Sequence, residues 1–357
     1  MLDGNELEER DSMTRVGFLK HTSRGAFLTC ALAVLAPSVA PAQEAPPRPF
    51  LRKVIQLDEA QLAAVEKGEV VTKLLPTTDK PEIAAFGVVK TAGTVDQLLA
   101  LARDVKKFRQ VPQIPEMGYF SSPAKIEDLK GLNHPPDDIA ALKKCKPGSC
   151  DVKIGTKGME MVSKVDWRAA DAEKQAVAIF NQGIVEYVTA YQHGGTDAMG
   201  SVFDKKQERS RAQEYRTLLA NSPYLVDYVK EFNDYLAAWP KGKLAGADDV
   251  LYWAKDTFGL KPVVSAYHAT FFKSPRGAMI STKLVGATHF FHASLEILAG
   301  VPTPDGKGLY LLNLYRTRLD PPTGMLAGVL MGKVRGGIET GVQENLKRAR
   351  ERLAAAR

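Results

Sequence analysis

The sequence predicts an α+β fold in which strand-rich regions flank a block of helices and one long helix closes the chain. Three observations carry this. Alternating, aromatic-rich runs occupy 69–75, 82–91 and most of 262–319; helical spacing runs through 169–240; and a second, longer helical pattern covers 325–353. The 357 residues are 45% hydrophobic and 25% charged, a composition that supports a sizeable core in two domains or in one large domain with an insertion. It excludes collagen-like, coiled-coil and multipass membrane chains. Lys and Arg number 48 against 41 Asp and Glu, a net +7 that is dispersed along the chain and carries no aromatic-basic recognition motif, so nucleic acid is not an expected partner.

The N-terminus reads as a secretory signal peptide over 1–42. Lys20, His21 and Arg24 precede an uncharged apolar run at 25–37, and Ala40-Pro41-Ala42 supplies the small residues of a cleavage site. The run is shorter than the roughly 20 apolar residues of a membrane anchor, so no membrane span is expected. Acidic residues at 3–11 are atypical of such a signal, and Met13 stands where a more ordinary start would. Cys30 follows Thr29 and is followed by further apolar sequence, which argues against lipid attachment. The competing reading is an amphipathic helix packed on the domain. Export places the protein in the periplasm or outside the cell.

A Pro-rich linker and a short helix fill 43–67, with Asp58 as N-cap and Gly68 as the stop. Strands follow at 69–75 and 82–91, then a helix capped by Thr94 through 107. Tyr119 and Phe120 lie in the next strand. Cys145 and Cys150 bracket Lys-Pro-Gly-Ser, a turn that brings two cysteines within disulfide reach in an oxidising compartment. Zinc would need a further Cys or His pair and a redox pair the tighter C-x-x-C spacing; free thiols are the other alternative. A bent two-strand ribbon is expected over 151–167. The helical insertion, 168–240, contains helices at 169–192, 206–220 and from Ser222 to before Pro240.

The closing helix sets Leu330, Val334, Ile338, Val342 and Leu346 on one ridge, beside Gly328, Gly332, Gly336, Gly337 and Gly341. An interior glycine costs a helix about 1 kcal/mol relative to alanine. Five of them imply a smooth face laid tight against a sheet or left clear for a ligand. Lys333, Arg335 and Glu339 argue against a membrane helix.

The early strand and helix, the later strands and the closing helix resemble the START-like, or SRPBCC, helix-grip superfamily. The stretches YWAKDTFG (252–259), PVVSAYH (262–268), THFFHASLEI (288–297) and YLLNLYRTRLD (310–320) also look similar to a group of exported bacterial proteins. The resemblance covers 68–354, with the insertion 168–240 as a departure. It implies a curved antiparallel sheet gripped by the C-terminal helix, with an apolar ligand between them. A hydrophobic small molecule or lipid is then the expected partner, with a protein partner through 168–240 as a further possibility.

His268, His289 and His292 near Glu296 make up a metal inventory, but 289 and 292 point to opposite sides of a strand unless a bulge intervenes. No metal site and no cofactor are therefore expected. His289 shares a face with Phe291, Ala293 and Leu295, either as a satisfied core histidine or as a ligand contact. Arg316 and Arg318 share a face near Asp320, either solvated or binding an anionic head. The ligand-binding set is His289, Phe291, Tyr267, Tyr310, Arg316 and Ile338. No catalytic residue is assigned, since no G-x-S-x-G, H-E-x-x-H, Walker or dinucleotide fingerprint has its context. The alternatives to a binding protein are a cyclase- or hydratase-like enzyme with His289 as acid or base assisted by Tyr267, Tyr310 or Arg316, and an envelope scaffold.

Overall fold

The computed structural model describes residues 47–257 and 261–355; the expected signal peptide lies outside them. Two short helices come first, α1 (Arg48–Lys53) and α2 (Glu59–Glu66). Asp58 caps α2 as its side chain accepts from the Gln61 N–H while the Gln61 side chain accepts from the Asp58 N–H, satisfying two otherwise orphaned donors. β1 (Val71–Leu75) and β2 (Glu82–Ala92) form a hairpin, and Thr94 and Gln97 repeat the same capping box at α3 (Val95–Arg103). Asp104 then breaks the predicted single helix and caps α4 (Val105–Arg109) through the Lys107 N–H.

β3 (Glu116–Tyr119) leads into a stretch with α5 (Pro136–Leu142) and α6 (Thr156–Val162). The ribbon expected over 151–167 is replaced by α6, because Gly155 serves as its N-cap rather than as a strand bend. Next come α7 (Ala172–Gly194), the short pair β4 (Ser201–Val202) and β5 (Arg209–Ser210), α8 (Arg211–Ala220) and α9 (Pro223–Ala238). The chain then runs β6 (Asp248–Asp256), β7 (Val263–Ser274), β8 (Gly277–Ala287), β9 (Phe291–Pro302), β10 (Gly308–Leu319) and α10 (Ala327–Ala355).

The main sheet has eight strands in the order β1-β2-β10-β9-β8-β7-β6-β3. Every neighbouring pair is antiparallel. β6 to β10 form a meander whose neighbours in sequence are neighbours in space. β8 and β9 stay paired from Ala278↔Gly300 to Lys283↔Leu295 and part beyond, β8 remaining on β7 and β9 on β10.

Alternate residues supply two buried faces. Ala85, Val89, Leu311, Leu298, Ile280 and Phe271 pack under α3, α4 and α10, while Trp253, Phe272, Met279, Val285, Leu295 and Leu314 pack under α7, α8 and α9. The sheet is thus covered by helices on both sides.

The α10 glycines do not lay the helix tight against the sheet, as one of the two expectations had it. A Cβ added at Gly328, Gly332, Gly336, Gly337 or Gly341 would meet nothing within 4 Å, so none of them faces the sheet. Only the second half of α10 is buried, through Val342, Leu346, Ala349 and Leu353, while Val329 and Leu330 stay exposed. The close approach is made from the other side. Gly87 of β2 lies beneath Leu346 and Val342, whose methyl carbons would stand 2.6 and 2.7 Å from any Cβ there.

Candidate functional site

A cavity of about 420 Å3 lies on the α7 side of the sheet. Its floor is Trp253 of β6, Val264 and Ala266 of β7, and Gly286 and Ala287 of β8. Its walls are Met161 and Val162 of α6, Ile179, Phe180, Ile184 and Tyr187 of α7, and Phe120, Leu129 and Leu132 from the segment after β3.

Local hydrogen bonds fix this lining. The Trp253 indole N–H donates to the Asp128 carbonyl at 2.8 Å, which holds the ring in the floor. The Tyr187 hydroxyl lies 2.7 Å from the Val285 carbonyl and 3.0 Å from that of Met199, so it ties α7 to the point where β8 leaves β9. Burial raises the Tyr187 hydroxyl above its ordinary value. Gly286 makes the fit possible, since a Cβ there would come 3.1 Å from the Tyr187 ring.

The polar lining mixes three cations, Lys153, Lys157 and Arg211, with the carboxylates of Glu186 and Glu208. The Lys153 ammonium is buried between Asp204 (3.2 Å) and Asp320 (2.9 Å), with His292 Nδ1 at 3.5 Å. Asp320 also meets His292 Nε2 at 2.8 Å, and although burial works against its charge, His292 and Lys153 hold its carboxyl well below the usual range. Lys157 pairs with Glu186 at 2.9 Å, and Arg211 donates to the Lys153 carbonyl at 2.9 Å.

The space expected between sheet and C-terminal helix is small. It measures about 50 Å3, room for a few water molecules, and is closed by polar groups. Arg109 meets Glu296 at 2.6 Å and the Thr282 hydroxyl at 3.0 Å, and Asn313 donates to Glu296 at 2.8 Å. Burial opposes both charges, yet each holds the other: Glu296 is lowered and Arg109 raised. A ligand cavity under α10 is therefore corrected to a small polar pocket, because the Arg109–Glu296 pair fills the centre and Leu346 closes onto Gly87.

The six side chains predicted to bind ligand are not brought together, and none lines either cavity. His289 sits in the turn before β9, its Nε2 2.8 Å from Asp138, and Phe290 beside it takes a positive φ of 56°. Phe291 packs with Val263, Leu284 and Ala287 at the sheet end. Tyr267 stacks on Tyr252 and donates to Asp256 at 2.9 Å. Tyr310 donates to Glu66 at 2.8 Å. Ile338 is half-buried against the α10 face of the sheet. Arg316 and Arg318 are buried rather than solvated: Arg316 pairs with Glu82, and Arg318 with Asp79 and Glu214, which docks α8 on β10.

A second buried network was not anticipated. The Tyr191 hydroxyl lies 2.8 Å from His268 Nδ1, and His268 Nε2 lies 2.8 Å from Asp249. Burial lowers His268 while Asp249 opposes it. Lys283 stands beside this chain, its ammonium 3.9 and 4.9 Å from the ring centroids of Tyr215 and Tyr191. Cys145 and Cys150 form a disulfide. Among the described residues no cluster of three or more His, Cys, Asp or Glu side chains is placed to hold a metal ion. Nor, among them, is any helix long and apolar enough to cross a membrane.

No family model and no curated protein matches the chain. Among solved structures it is similar to a STAR-related lipid transfer protein from Xanthomonas axonopodis, at 9% identity and a TM-score of 0.35, over 80% of this chain and 93% of that one.

Proposed function

We propose that this chain is an exported, noncatalytic binding protein that takes a hydrophobic small molecule into the cavity between the sheet and α6–α7. The observation that carries the reading is that cavity: its 420 Å3 falls in the range of small-molecule sites, and its floor and walls are largely apolar and aromatic. Apolar burial, at about 25 cal/mol per Å2 removed from water, supplies the affinity. The element order, a hairpin and helix followed by an antiparallel meander and a long closing helix, supports a START-like arrangement. In this chain the ligand lies on the face opposite α10, roofed by helices that the compact fold lacks. The signal-like segment at 1–42 and the Cys145–Cys150 bond support export, since disulfides persist in oxidising compartments. The enzyme alternative draws no support from geometry, because His289, Tyr267, Tyr310 and Arg316 bond four different carboxylates.

Trp253 provides the test. The uncharged brominated probe 11-bromoundecan-1-ol should quench tryptophan fluorescence saturably, and Trp253→Phe should remove most of the quenching although Trp167 and Trp239 remain. Ala266→Phe, which fills the floor, should weaken binding by about tenfold or more. Quenching that never saturates, or that A266F leaves intact, would refute uptake at this site.

A further inference from the structure

Three cationic side chains border the cavity, and two are neutralised: Lys153 by Asp204 and Asp320, Lys157 by Glu186. Arg211 is not. It is 8% exposed, and among the described residues no carboxylate oxygen stands within 4.0 Å of its guanidinium. It donates to the Lys153 carbonyl and lies beside Tyr187, whose hydroxyl it also engages, with its guanidinium carbon 5.3 Å from the ring centroid. Glu208 also lines the cavity but is exposed at the rim and forms no ion pair with Arg211.

A buried cation without a counter-charge is costly, and here its position adds to the cost. Arg211 is the first residue of α8, where the helix's own partial positive charge disfavours a cation and favours an anion. A guanidinium is a planar fork of five N–H groups, so those Arg211 does not spend on the Lys153 carbonyl and Tyr187 can receive a carboxylate through two parallel hydrogen bonds. Those donors stand at one side of a space whose floor and helical walls are largely apolar.

We propose that the ligand of this cavity is an amphiphile with a single aliphatic tail and a carboxylate head, and that Arg211 receives the head while the tail lies between Trp253, Phe180 and Ile184. This rests on the binding-protein reading above and names the ligand class of the same site. The head completes a charge pair that the fold leaves half-built, and the tail supplies the apolar burial.

Calorimetric titration with dodecanoate, dodecan-1-ol and dodecyl phosphate, all below their aggregation concentrations, tests it. Wild-type protein should bind dodecanoate about tenfold or more tighter than dodecan-1-ol. Arg211→Met should reduce dodecanoate to the affinity of the alcohol, and Arg211→Lys, which keeps the charge without the fork, should fall between. Equal affinity of wild-type protein for acid and alcohol would overturn the head-group assignment and leave the cavity reading standing; this comparison needs no variant to fold. Tighter binding of dodecyl phosphate would overturn the carboxylate in favour of a phosphate head. Binding of none of the three would defeat the cavity reading itself.

Discussion

Lys283 rises from β8 into the helical layer with the Thr196 hydroxyl at 2.8 Å and two tyrosine rings as its neighbours. Burial drives its ammonium from 10.5 down to about 7. Between those two values the unfolded chain binds more protons than the native one, so stability climbs as pH rises from about 7 towards 10.5 and is least below 7. Urea unfolding should therefore show a more stable protein at pH 9.5 than at pH 6. Lys283→Met should flatten that slope and stabilise the protein at pH 6 by about 2 kcal/mol, since an apolar side chain replaces a buried charge. A slope that survives K283M would assign the dependence elsewhere. Asp256, raised by burial to about 6, acts in a separate window: its native state keeps the proton longer than the unfolded one, so its contribution falls as pH rises from 3.8 to 6.

At the level of elements, glycine on a strand and glycine on a helix call for opposite predictions. Gly87→Ala should destabilise by about 1–3 kcal/mol, because Leu346 and Val342 already occupy the Cβ position and α10 would have to lift. Gly336→Ala should stabilise by about 1 kcal/mol, because its Cβ enters open space and the helix loses a flexible residue. Thermal denaturation of the two variants reads the contrast directly; the reverse order would mean that α10 packs through its glycines after all. The same elements show what the sequence made legible. Both capping boxes, Asp58–Gln61 and Thr94–Gln97, name their helix starts to the residue, and the long strands after 262 announce themselves by aromatic and β-branched content. β6 escaped notice because Asp248–Asp256 is buried on both faces at Leu251, Tyr252, Trp253 and Ala254, which erases the alternation that marks a half-buried strand. The glycine ridge misled because spacing reveals which residues share a side of a helix, not whether anything lies against that side. The cavity was illegible for a similar reason. It forms where β8 parts from β9 and where segments more than a hundred residues apart meet, and Arg211 on its own reads as one more surface cation.

For the whole molecule, the Cys145–Cys150 bond closes a short loop beside α5 and α6, remote in sequence from the sheet. Cys145→Ser with Cys150→Ser should lower stability by about 2 kcal/mol at most and leave uptake of 11-bromoundecan-1-ol unchanged, as read by denaturant unfolding and fluorescence titration. A collapse of the fold in that variant would make the bond a structural mainstay instead. The sheet itself has the wider consequence. On β8, Ala278, Ile280 and Thr282 look towards α3 and α10, while Met279, Lys283 and Val285 look towards the helical layer that roofs the cavity. One strand therefore carries two interleaved vocabularies, and a change in every second letter can rework the layer packed on one side without rewriting what the other side says.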